Sequence, residues 1–120
     1  MRNAGVNKFS CVSSAGVGDT WNAVDSLSFK MFVKMSALNA IFAWHAKVVT
    51  VVNASGLDYQ HCHPLMLTHK GLSGTKAQVV KRMGFNAISR ADVAEFMLDQ
   101  VELPGAFQVR QPLIIHPESL

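Results

Sequence analysis

A chain of 120 residues holds one domain at most, and with 49% of them hydrophobic it can bury a real core. Charged residues make up 16%, below the usual share of about a quarter, so part of the surface is expected to be covered. The net charge of +3 is spread along the chain without a basic run, which argues against a nucleic-acid partner.

Residues 8–13 mix β-branched and apolar side chains and stop at Ser-Ser-Ala-Gly, which predicts a short buried strand. Strands that end this way in α/β proteins often set a hydroxyl beside a cofactor, which singles out Ser14. Residues 14–22 read as a loop, with Gly16, Gly18, Asp19 and Asn22 as turn formers. The span 24–54 reads as helix in two pieces. Leu27, Met31, Met35, Leu38 and Phe42 recur at spacings of three and four and form the expected core face. Lys30 and Lys34 mark the wetter face. The apolar stretch MFVKMSALNAIFAW (31–44) is broken by Lys34, Ser36 and Asn39 and falls short of the ~20 apolar residues that span a bilayer. No membrane span is expected, and the stretch reads as a packed core helix. VVTVV (48–52) has strong β propensity, and a strand there stays open as an alternative. The helix reading is preferred because Asn53-Ala54-Ser55-Gly56 looks like a helix exit, with Gly56 able to take a left-handed cap.

Leu57 to His63 is the second expected strand, closed by Pro64. Residues 65–76 read as loop and 76–82 as a short strand. Ile88-Ser89-Arg90-Ala91-Asp92 is the clearest helix start, with Ser89 as N-cap and Asp92 as the acidic partner in the first turn. Val93, Phe96, Met97 and Val101 supply an apolar stripe, and Pro104-Gly105 stops it. AFQVRQ (106–111) alternates and predicts the last strand. Strands separated by helices argue for an α/β layout with parallel pairing.

Cys11 and Cys62 sit in apolar surroundings and read as buried reduced thiols, as in a cytoplasmic protein. The first ten residues, MRNAGVNKFS, have no long apolar core and do not read as a secretory signal. On a strand, His61 and His63 face the same side while Cys62 faces away. Zinc needs three or four ligands. His45, His69 and Cys11 would have to complete the set, no ligand-pair spacing supports that, and no metal is expected. Trp21, Trp44 and Tyr59 read as core or interface residues rather than cofactor platforms.

Three stretches taken together, VNKFSCVSSAGVGD (6–19), ASGLDYQHCHPLMLTHKGLSG (54–74) and ISRADVAEFMLDQ (88–100), resemble the C-terminal half of the atypical short-chain dehydrogenases. The closest likeness is to the NmrA-like and biliverdin/flavin reductase-like NAD(P)-binding proteins. The resemblance runs over nearly all of the chain. It implies an α/β fold, a partial Rossmann-like parallel sheet with helices lacking the N-terminal glycine-rich half, so that residues 1–120 would be a single C-terminal portion of such a domain. It implies NADP or NAD as cofactor and hydride transfer to a small carbonyl or flavin-like acceptor. It also implies a sheet edge left exposed, a route to self-association.

By the same resemblance Ser14 is the catalytic hydroxyl that orients the acceptor. Ser13, Ala15 and Gly16 shape the turn along which the cofactor passes, and His63, Pro64, Met66 and Thr68 line the nicotinamide and acceptor pocket. Ser89, Arg90 and Asp92 match the family equally well, but their physics suits a structural role: cap, dipole partner and tie to a neighbouring loop. Three departures stand beside these matches. The chain contains no Gly-x-x-Gly-x-x-Gly turn, and Gly16-Val17-Gly18 is too short and follows the wrong strand to replace it. Ile41 and His45 stand where the short-chain dehydrogenases carry Tyr and Lys. His63-Pro64-Leu65 replaces Arg-Pro-Gly. A non-catalytic NmrA-like dinucleotide sensor, or a truncated remnant without activity, is therefore the alternative expectation.

Overall fold

The computed structural model describes residues 5–36, 38–83 and 87–116. Residues 1–4, on which the reading of the N-terminal segment partly rests, lie outside the described residues, as do the side chains of Asp19 and Leu38. Strand β1 (Lys8–Val12) leads through a short 3₁₀ helix (Gly18–Ala23) to α1 (Leu27–Lys34) and α2 (Leu38–Asn53). Then come β2 (Asp58–Cys62), β3 (Met66–Thr68), β4 (Gln78–Val80), β5 (Ala87–Ser89), α3 (Arg90–Glu102) and β6 (Leu113–Ile115).

β1 and β2 run parallel, with Lys8 opposite Asp58 and Val12 opposite Cys62. A connection through two helices makes that pairing natural, because parallel neighbours need a long crossover. Residues 110–114 lie extended along the other edge of β2. His61 N donates to Arg110 O at 2.7 Å, His63 N to Pro112 O at 2.9 Å, and Ile114 N to His63 O at 3.4 Å. β6 then pairs antiparallel with β4, and β3 pairs parallel with β5. The parallel α/β layout expected from the sequence is what the chain adopts, with the β4–β6 pair as the antiparallel exception.

β6 separates two apolar clusters. Leu113 and Ile115 face Ala15, Val24, Phe29, Val33 and Met83. Ile114 faces Cys62, Ile88, Val93 and Phe96. Burying both faces removes the alternation that marks a half-buried strand. That is why the last strand lies at Leu113–Ile115 and not at the alternating 106–111, where only Phe107 is buried.

The expected core face of the first helix is also corrected. Leu27 and Met35 are 73% and 83% exposed, and Met31 is exposed too, while Phe29 and Val33 go into the core. Residues 27–35 carry apolar side chains on more than one helical face, so packing chooses between them. The lysines are not simply solvated, since Lys30 and Lys34 Nζ lie 5.5 and 5.7 Å from the centre of the Trp21 ring. VVTVV is helical, as part of α2, and Gly56 takes a φ of +78° beyond it. The expected loop at 65–76 contains the short strand β3, and the expected loop at 14–22 closes into the 3₁₀ turn. Among the described residues no single helix is long and apolar enough to cross a membrane.

Candidate functional site

The carboxyl ends of parallel strands are where α/β sheets bind ligands, and here β1 and β2 end side by side. Ser13 N donates to Cys62 O at 2.7 Å, and Ala15 N donates to Pro64 O at 2.8 Å. Ser14, between them, is anchored through its carbonyl, which accepts from His63 Nδ1 at 2.8 Å and from Val17 N at 3.1 Å. Its hydroxyl donates to Ala15 O at 3.1 Å. Thr20 tightens the turn from the far side, donating to Val17 O at 2.8 Å and accepting from Gly16 N at 2.9 Å.

Ser14 opens onto an apolar cleft of about 730 Å³ walled by Phe29, Phe32, Phe42, Leu65 and Met66, with the hydroxyls of Ser26 and Ser28 on its edge. Ser26 is there because it caps α1, accepting from Phe29 N at 3.2 Å. The structure therefore brings together Ser14 and Met66 of the expected site residues. Ser13, Ala15 and Gly16 lie behind them in the turn. His63 and Pro64 are fully buried beneath the cleft and hold that turn. Thr68 lines a second, more polar cavity of about 540 Å³ with Lys70, Ser73, Ser89, Asp92 and His116. Two residues before Thr68 on the same strand face, Met66 belongs to the first cleft. Sequence reading missed Thr20, Ser26, Ser28, Phe29 and Phe32, and took Phe42 as part of a core face. The only signal for them was an aromatic-rich helix pair following the Ser-Ser turn.

Burial pushes the His63 imidazole below its ordinary pKa, partly offset by the Ser14 carbonyl. Burial, and then the proximity of His63, lowers His61 as well. His61 is held between Cys11 Sγ at 3.0 Å from Nδ1 and Asn53 Oδ1 at 3.4 Å from Nε2. Burial raises the Cys11 thiol and pushes Cys62 up to about 12. Among the described residues no group of three or more His, Cys, Asp or Glu side chains is arranged to hold a metal ion. Of the other aromatics, Trp44 is exposed beside His45, and Tyr59 carries the Arg110 guanidinium 4.4 Å above its ring centre.

Residues 1–104 match the model of a family described as NAD(P)H-binding, and the chain belongs to that family, whose cofactor is NAD or NADP. Two solved structures superpose on nearly all of it. ChuY from Escherichia coli strain CFT073 is 25% identical with a TM-score of 0.78, over 98% of this chain and 60% of that one. ChuY from Escherichia coli O157:H7, described as an anaerobillin reductase, is 24% identical with a TM-score of 0.71, over 98% and 53%. The chain thus spans a little over half the length of these structures. Among curated proteins none matches.

The residues present suit one end of a nicotinamide dinucleotide. The apolar cleft can take a flat ring beside a single strand-end hydroxyl. Among the described residues the glycine turn offers no comparable seat for the pyrophosphate: the Ala15, Gly16, Val17 and Thr20 amides are already bonded to Pro64 O, Thr20 Oγ1, Ser14 O and Val17 O. Amides engaged in this way cannot cradle an anion as a glycine-rich turn does.

Proposed function

We propose that this chain forms the acceptor side of an NAD(P)H-dependent reductase of the atypical short-chain class, acting on a small carbonyl or flavin-like acceptor. The observation that carries the reading is Ser14, a strand-end hydroxyl on the rim of a mainly apolar cleft at the ends of two parallel strands. The reduced nicotinamide, when bound, supplies the hydride. Ser14 turns its hydroxyl from the Ala15 carbonyl to the acceptor oxygen and stabilises the charge that develops there. Phe29, Phe32, Phe42, Leu65 and Met66 exclude water and so strengthen that hydrogen bond. The serines of the cleft do not ionise near neutrality, so the proton that completes reduction comes from water.

The test follows loss of NADPH or NADH absorbance with carbonyl, quinone and flavin acceptors, comparing the native protein with Ser14→Ala. We expect Ser14→Ala to lower kcat/KM by about a hundredfold, the scale for losing one oxyanion donor. Equal rates for the two proteins would refute the role of Ser14. The second reading, a dinucleotide sensor without chemistry, is favoured by Ile41 and His45 on α2 in place of a phenol and an ammonium. Its signature is dinucleotide binding without turnover of any acceptor.

A further inference from the structure

The residue beneath Ser14 is an unusual support. His63 is fully buried, and both polar groups of its backbone are held by the 112–114 segment, N–H by Pro112 O and C=O by Ile114 N. Its ring therefore projects from a rigid root. Nδ1 meets the Ser14 carbonyl at 2.8 Å. A carbonyl only accepts, so the ring carries its proton on Nδ1. Nε2 is buried with no hydrogen-bond partner. Gln111 comes near enough to favour the charged ring slightly, but not in bonding geometry at Nε2. The hydrogen bond that the ring makes in good geometry is aimed at the turn that carries Ser14.

The backbone of that turn does the same job only on either side of Ser14. Ser13 and Ala15 are tied to β2 and Pro64 through their own N–H groups, while Ser14 contributes only its carbonyl. Apart from His63, the donor to that carbonyl is Val17 N, from within the turn itself, which cannot fix the turn to the sheet. We propose that His63 is a positioning residue: its Nδ1–H anchors the Ser14 carbonyl to β2 and so sets the direction in which the Ser14 side chain meets the cleft. The inference rests on the catalytic reading of Ser14 for its functional consequence, but not for the anchoring itself. His61, two residues back along the chain, is close enough that His63 adds to burial in holding its pKa below the ordinary value.

The test uses His63→Asn, whose side-chain N–H falls close to the position of Nδ1–H, and His63→Leu, which has no donor. Nitrogen NMR of the native protein should show the Nδ1–H tautomer. Amide exchange at Ala15 and Val17 should quicken about tenfold in His63→Leu, the scale of one lost hydrogen bond, and stay near native in His63→Asn. In the reductase assay His63→Leu should lower kcat with KM for the dinucleotide little changed, and His63→Asn should restore most of it. An Nε2–H tautomer, or unchanged exchange in His63→Leu, overturns the proposal. Should His63→Leu fail to fold, the native tautomer and the exchange of His63→Asn still decide it. Exchange that responds to His63 while Ser14→Ala leaves turnover intact would keep the anchor and discard the catalytic serine.

Discussion

At Gly16 the backbone holds φ at +97°, and an added Cβ would stand 3.1 Å from a ring carbon of Phe42. Strain and contact act together there, since only glycine enters this region freely. Gly16→Ala should cost about 1–3 kcal/mol and displace Phe42 from the cleft wall. Urea unfolding measures the first, and a methyl or aromatic NMR shift at Phe42 the second. The thiols give a second residue-scale expectation. With Cys62 buried and its pKa near 12, an aromatic disulfide reagent should leave it unmodified at neutral pH until the chain unfolds, whereas half-buried Cys11 should react slowly in the native state. Rapid labelling of both would contradict the burial. The strand-end position of Ser14 was legible because the apolar run 8–13 stops abruptly at Ser-Ser-Ala-Gly. Thr20 was not, because a threonine in a polar loop shows nothing of the two hydrogen bonds it makes until the turn closes around it.

Among the elements, α3 is the one the sequence specified most completely. Ser89 Oγ accepts from Asp92 N at 3.0 Å, and Asp92 Oδ1 in turn accepts from Ser73 N at 3.1 Å. The cap thus also fixes the 70–73 loop, and Arg90 reaches His69 at 3.3 Å as the expected tie to that loop. At the other end Lys8 Nζ bonds the carbonyls of Val101 and Leu103 at 3.3 and 2.7 Å, closing the helix with a cation on its negative pole. Ser89→Ala should cost about 1 kcal/mol and loosen residues 70–73, seen as a lower urea midpoint with faster amide exchange at Ser73. The elements that the sequence misled on, α1 and β6, share a cause. Each is apolar on more than one face, so local period does not say which side is inside. Only the packing of Phe29 and Val33 against Leu113 and Ile115 decides it.

For the whole molecule, the two buried histidines set a pH limit. Both His61 and His63 have folded pKa values below the ordinary 6.5. As pH falls through about 6.5 the unfolded chain takes up protons that the folded chain refuses, so stability drops with pH and goes on dropping until the folded values are reached. Urea midpoints should fall between pH 7 and pH 5, and less steeply in His61→Gln and His63→Asn. A midpoint that rises toward pH 5 would reverse the sign. At this scale the parallel order of β1 and β2 was legible from strands separated by helices, while the split of the site into an apolar and a polar cavity was not. Met66 and Thr68, the two ends of β3, line one cavity each, within a stretch that reads as loop.

We propose that the nicotinamide end of the cofactor lies against Ser14, Leu65 and Met66, with no grip on the phosphates from the glycine turn beside them. The most direct measurement is an NMR titration of the chain with NADPH and, separately, with reduced nicotinamide mononucleotide. Shifts are expected at the Ser14 amide and at the Leu65 and Met66 methyls with both ligands, and affinities within about threefold of each other. NADPH binding about a hundredfold tighter than the mononucleotide, or shifts confined to Lys70, Ser73 and His116, would contradict it.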